Sequence, residues 1–196
     1  MFLRTILFST LMLLCCGAAL AQRPGPEFWR KVGCEPLEPR TKLEALDDRH
    51  SGVIIKGFTR ITTVEVPGLR IDAVHMRDMG SAVSGAKGIV IVLREGGERP
   101  TDNLAFVDYD EIDPLLNAID VISQVDESVT KLAGFEARYK TRGDFEVAVF
   151  RQTRSGRAVV IHTGICDRAT GTLTLDDLAK IRAMIQEAKS RLDEIR

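Results

Sequence analysis

The chain has 196 residues, with 27 Lys and Arg against 28 Asp and Glu, a formal net charge of -1 and a hydrophobic share of 44%. That near balance argues against a dedicated binder of polyanions, though it leaves room for a local basic strip. Three scattered histidines, and the two cysteines that remain after residue 21, make no recognisable zinc pattern.

Residues 1–21 have the layout of a secretory signal peptide. Arg4 precedes an apolar run from Ile6 to Cys16, and Ala19-Leu20-Ala21 stands before Gln22. A rival reading makes Cys16 a lipid-anchored cysteine, but Cys15 is a poor fit for the small residue such a site wants before it. No later apolar run exceeds strand length, so no transmembrane segment is expected in the mature chain. Cleavage removes Arg4 alone, leaving 26 of the 27 basic residues, all 28 acidic ones and a formal charge of -2.

Cys34 and Cys166 survive cleavage. An oxidising compartment would let them bridge, and the long loop so closed would contribute roughly 4 to 5 kcal/mol. Spacing alone leaves the bridged and the reduced pair both open.

Residues 22–52 hold four of the seven prolines (Pro24, Pro26, Pro36 and Pro39) and read as an extended leader. Phe28 and Trp29 within it are expected to dock on the folded domain. From Val53 the pattern turns to period two. Val53 to Val66 reads as a strand and Pro67-Gly68 as a turn. Leu69 to Met76 is a second strand, Gly80 to Gly88 a small-residue loop, Gly88 to Arg94 a buried strand and Asn103 to Tyr109 a fourth. The helix that follows carries Ile112, Leu115, Leu116, Ile119, Ile122 and Val125 on one stripe, with Asp113-Pro114 fitting an N-cap and first helical position.

After a connector at 126–131 the same order returns. Phe135 to Thr141 and Phe145 to Arg151 are strands joined at Arg142-Gly143-Asp144; Arg157 to Thr163 and Thr172 to Leu175 complete the set. A last helix runs from about Leu175 to Ile195, with Thr174 and Asp177 in capping-box spacing and a stripe of Leu178, Ile181, Ile185, Ala188, Leu192 and Ile195. Sixty-six positions apart, Val107 matches Leu173, Asp110 matches Asp176, and Ile112, Leu115 and Ile119 match Leu178, Ile181 and Ile185. The spacing therefore predicts an α+β protein of two tandem β-β-β-β-α units, 53–126 and 132–196, with antiparallel sheets each covered by an amphipathic helix. Pairing of the units is favoured over separate layers, because about 70 residues bury a marginal core alone.

In element order this arrangement resembles the Pur-alpha and whirly-type single-strand nucleic-acid binders, and the closing stretch "LTLDDLAKIRAMIQEAKSRLDEI" looks like their last helix. The chain also resembles an exported bacterial family of unassigned role. Both resemblances imply a fold and leave function open.

Candidate binding residues are Arg138, Lys140, Phe150 and Arg151, basic groups beside an aromatic as polymer binding requires, with Arg154 and Arg157 beyond. The simpler reading is a solvated sheet face balanced by Glu136 and Glu146. Arg142-Gly143-Asp144 matches the tripeptide that integrins recognise, yet a tight turn between strands calls for the same residues. Asp108, Asp110, Glu111 and Asp113 lack the glycine and distal glutamate of a calcium loop and suit a helix start instead. No nucleophile motif accompanies His50, His75 or His162. The last helix covers its own sheet or, through its narrow seam, joins a partner helix. Function is then expected to be non-catalytic binding outside the cytoplasm, periplasmic or secreted, with no cofactor and no metal. The expected partner is a protein or a second copy. The alternatives are an anionic polymer, nucleic acid being unlikely, and an enzyme with an unrecognised site.

Overall fold

The computed structural model describes residues 38–62, 66–80, 85–95, 101–152, 156–164 and 169–195. The stretch expected to be a signal peptide, with Cys16, the aromatic pair Phe28 and Trp29, Arg154, and both Cys34 and Cys166 lie outside these residues.

The expected order is present. Strands β1 (Ile54–Thr62), β2 (Leu69–Asp78), β3 (Gly85–Glu95) and β4 (Thr101–Asp108) form one antiparallel sheet in sequence order. Strands β5 (Glu136–Lys140), β6 (Glu146–Gln152), β7 (Gly156–Thr163) and β8 (Ala169–Leu173) form a second. Helix α1 (Lys42–Asp47) precedes the first sheet, α2 (Tyr109–Gln124) follows it, and α3 (Leu175–Asp193) follows the second. No described helix is long and apolar enough to cross a membrane.

The two sheets are alike in register. In the first sheet Ile61, Ile71, Ile91 and Ala105 stand abreast across four strands. In the second, Tyr139, Val147, Ile161 and Gly171 occupy the same row. Both rows end on a small residue, and a Cβ on Gly171 would lie 3.1 Å from Ile161 and 3.6 Å from Leu93 of β3.

Helix coverage is shared between the units. α3 packs on β1, β2 and β3 of the first sheet and on β7 of its own, while α2 packs on β3 and β4 and reaches β5 and β6. Ile71, Ile91, Ile112, Leu115, Val147, Ile161, Leu178 and Ile181 consequently belong to one core. At about 1.5 to 3 kcal/mol for each large apolar side chain removed from water, that merger supplies burial neither unit has alone. The α3 stripe expected from spacing is buried at Leu178, Ile181, Ile185, Ala188 and Leu192, so its seam is spent on the protein's own sheets.

Strand β8 spans Ala169–Leu173, where Thr172 to Leu175 was expected, and three further local features depart from the sequence reading. The leader's last residues form α1, where Thr41 and Glu44 make a capping box and the Lys42 and Leu43 amides donate to the Asp108 carboxylate at 2.9 and 3.2 Å. Leu43 and Leu46 seat it on Val74, Met76, Ala86 and Val90, on the face of the first sheet turned from the main core. Helix α2 starts at Tyr109 after Asp108, so Pro114 lies in its second turn and forgoes only the bond to the Asp110 carbonyl. Strand β3 begins at Gly85, its early residues held in register by Arg77 and Met76.

The helices are also joined ionically. Arg182 donates twice to Asp120, Nε to Oδ1 at 2.5 Å and Nη2 to Oδ2 at 2.8 Å. This hydrogen bonding holds the Asp120 carboxyl below its ordinary pKa. Asp177 is held low by Thr174 in the α3 cap. Such groups stabilise the fold above the ordinary carboxylate pKa of about 4, and the contribution is lost as pH falls through the lower folded values. Thermal melts in low salt should therefore show Tm dropping below about pH 4, with a shallower drop in Arg182→Met; a level Tm through that window would contradict the pairing.

Candidate functional site

The second sheet carries the residues that sequence singled out. Phe135, Ala137 and Tyr139 pack on the core, so Glu136, Arg138 and Lys140 alternate onto the outer face. Phe150 stands opposite Glu136 on that same face. Arg151 alternates with Phe150 and shares the parity of Val147 and Val149; it donates to the Ala133 carbonyl at 3.2 Å. The strip thus brings Arg138, Lys140 and Phe150 together and leaves Arg151 on the other side. Its cations are engaged: Arg138 lies 3.7 Å from Glu136 and Lys140 lies 2.6 Å from Asp144. Arg157 donates to the Ser123 and Val125 carbonyls and so caps the end of α2.

In the tripeptide Arg142-Gly143-Asp144 the last two residues are buried and Arg142 is exposed. Gly143 bridges Phe106 of β4, and Asp144 is 3% exposed and paired with Arg40. The Arg142 amide donates to Glu111 Oε1 at 2.9 Å, and its guanidinium reaches Glu111 and Asp110. Glycine is needed at 143 for the approach to Phe106, while Asp144 supplies the left-handed backbone at φ 63°. The acidic run is thereby accounted for. Asp108 anchors α1, Asp110 and Glu111 hold the β5–β6 turn, and Asp113 lies 3.8 Å from Lys189. Among the described residues no three His, Cys, Asp or Glu side chains converge as metal ligands. His162 shares a 2.9 Å hydrogen bond with Thr170, and His50 lies against the Asp48 carbonyl.

The surface that remains is on the first sheet. Among the described residues β1 has a strand on one side only, and from Ile55 to Arg60 every residue is exposed. Phe58 is 59% exposed on the outer face and Ile55 53% exposed with the opposite parity. Beyond α1 the outer face continues into a line of ion pairs. Arg60 and Arg70 both address Asp72, at 3.4 and 3.1 Å, while Arg70 and Arg94 address Asp102, at 3.8 and 2.8 Å. The Arg94 hydrogen bond holds the Asp102 carboxyl below its usual range. Among the described residues three guanidiniums thus meet two carboxylates beside Phe58, whose ring lies 6.0 Å from the Arg60 guanidinium carbon. Sequence reasoning missed this surface, although "IIKGFTRIT" carries two cations and no carboxylate.

No family model, curated protein or solved structure matches the chain.

Proposed function

We propose that the mature chain is an exported, non-catalytic binding protein whose partner is a protein, engaged through β1 and the adjoining outer face of the first sheet. The observation that carries this reading is the exposure of Phe58 and Ile55 on a nine-residue strand that is an edge among the described residues. Large apolar groups are seldom left in water on both faces of an unpaired edge, because such an edge templates further pairing. An aromatic ring beside arginines is also the composition of an interface hot spot. The alternatives draw less support. The α3 seam is buried, and Arg138 and Lys140 share their sheet face with Glu136 beside Phe150, which is only partly exposed, so that face offers neither a large apolar group nor a run of cations without an anion.

Photo-crosslinking in cells that export the chain tests this reading. A benzophenone amino acid at position 58 should give a discrete protein adduct, and the same group at the exposed Thr172 on the second sheet should not. No adduct at 58, or equal adducts at both, would refute it.

A further inference from the structure

We infer that β1 is a recognition edge that takes an extended acidic segment of a partner protein as an added strand of the first sheet. This rests on the protein-binding reading above and names the chemistry of the partner. β2 pairs with β1 along its whole length, from Ile54 opposite Asp78 to Thr62 opposite Arg70. Alternate N–H and C=O groups of β1 therefore point away from β2, toward a side where no strand lies among the described residues. Gly57 removes a side chain from the middle of the strand and opens its backbone to approach; a Cβ there would meet only the His75 carbonyl, at 3.8 Å.

Side-chain chemistry then selects the occupant. Lys56, Phe58 and Arg60 alternate on the outer face, and the strand holds no anion to balance them. Lys56 has Asp47 at 3.0 Å, with both side chains more than a third exposed. Arg60 shares Asp72 with Arg70, which lies closer. A segment of the form acid, any, apolar, any, acid would set its carboxylates opposite Lys56 and Arg60 and its apolar side chain opposite Phe58. Directly opposed unlike charges favour a strand pair and like charges oppose it. The same pattern disfavours a second copy as the occupant: antiparallel pairing centred on Phe58 would place each Lys56 against the other copy's Arg60. Strand addition of this kind draws affinity from main-chain hydrogen bonds and specificity from alternate side chains.

The test uses the mature chain, isotope-labelled, and two synthetic peptides, Ser-Glu-Thr-Val-Thr-Glu-Ser and its counterpart with both Glu replaced by Lys. The acidic peptide should shift the β1 amides saturably, and the basic one should bind at least tenfold more weakly. The double variant Lys56→Glu, Arg60→Glu should reverse that preference. N-methylation of alternate peptide amides on one edge should abolish binding to the unaltered chain, while methylation of the other edge is tolerated, a readout that holds even if the double variant misfolds. No saturable shift at millimolar peptide, an unreversed preference, or indifference to which edge is methylated would overturn the inference. If position 58 still crosslinks a protein while the peptides fail, the acidic strand falls and the binding reading stands. A dimer by sedimentation that Phe58→Asp disrupts and Lys56→Glu strengthens would replace the peptide with a second copy.

Discussion

Expressed separately, residues 38–126 and residues 132–195 are each expected to be unfolded in water, and mixing them is expected to restore structure. The reason lies in the shared helices. Without the second unit, β1, β2 and β3 lose α3, exposing Ile61, Leu69, Ile71, Ile89 and Ile91. Without the first, β5 and β6 lose α2, and α3 loses β1, β2 and β3 while keeping β7. A chain of 60 to 90 residues buries only about 60% of its unfolded surface, so losing half of a common core removes the margin of stability. Circular dichroism and hydrogen-exchange NMR of the two pieces, apart and together, provide the check. A cooperative melt from either piece alone would refute the shared core.

Gly143→Ala is expected to be the most damaging of the small substitutions. A Cβ at this position would lie 2.0 Å from the Phe106 carbonyl oxygen and 2.9 Å from its carbon, both backbone atoms with no freedom to swing aside. Relief requires the β5–β6 turn to lift from β4, breaking the Phe106–Gly143 bridge and disturbing the Arg142–Glu111 and Arg40–Asp144 pairs. Overpacking of this severity costs about 3 kcal/mol, which in a chain of this size lowers Tm by roughly 6 to 12 °C. Gly134→Ala is the matched control, since nothing lies within 4 Å of the added carbon. It should leave Tm unchanged or raise it slightly. Equal melting of the two variants would show that the turn does not bear on β4.

How far this was legible in sequence differs by element. The α3 boundaries, its Thr174–Asp177 cap and the two runs of four strands followed by a helix could be read, because an apolar stripe and a capping box are local signals. Helix α1 could not, since six residues make no periodicity and its amides depend on Asp108, a distant residue in the chain. Periodicity shows that a helix has an apolar stripe but not which sheet the stripe covers, so the sharing of α2 and α3 stayed hidden. Arg151 was readable and grouped wrongly: alternation from Val147 and Val149 already placed it away from Phe150. The exposed edge left only a faint trace, because a strand rich in Ile, Phe and Thr looks alike at the margin and in the middle of a sheet.

The two β4α units share one core and fold as a single body. Native-state hydrogen exchange across low urea concentrations addresses it most directly. The slowest amides of β2 and β3 and those of β6 and β7 should converge on one opening free energy with one urea slope. Two separate limits, one for each sheet, would show that the modules open independently and would contradict the account.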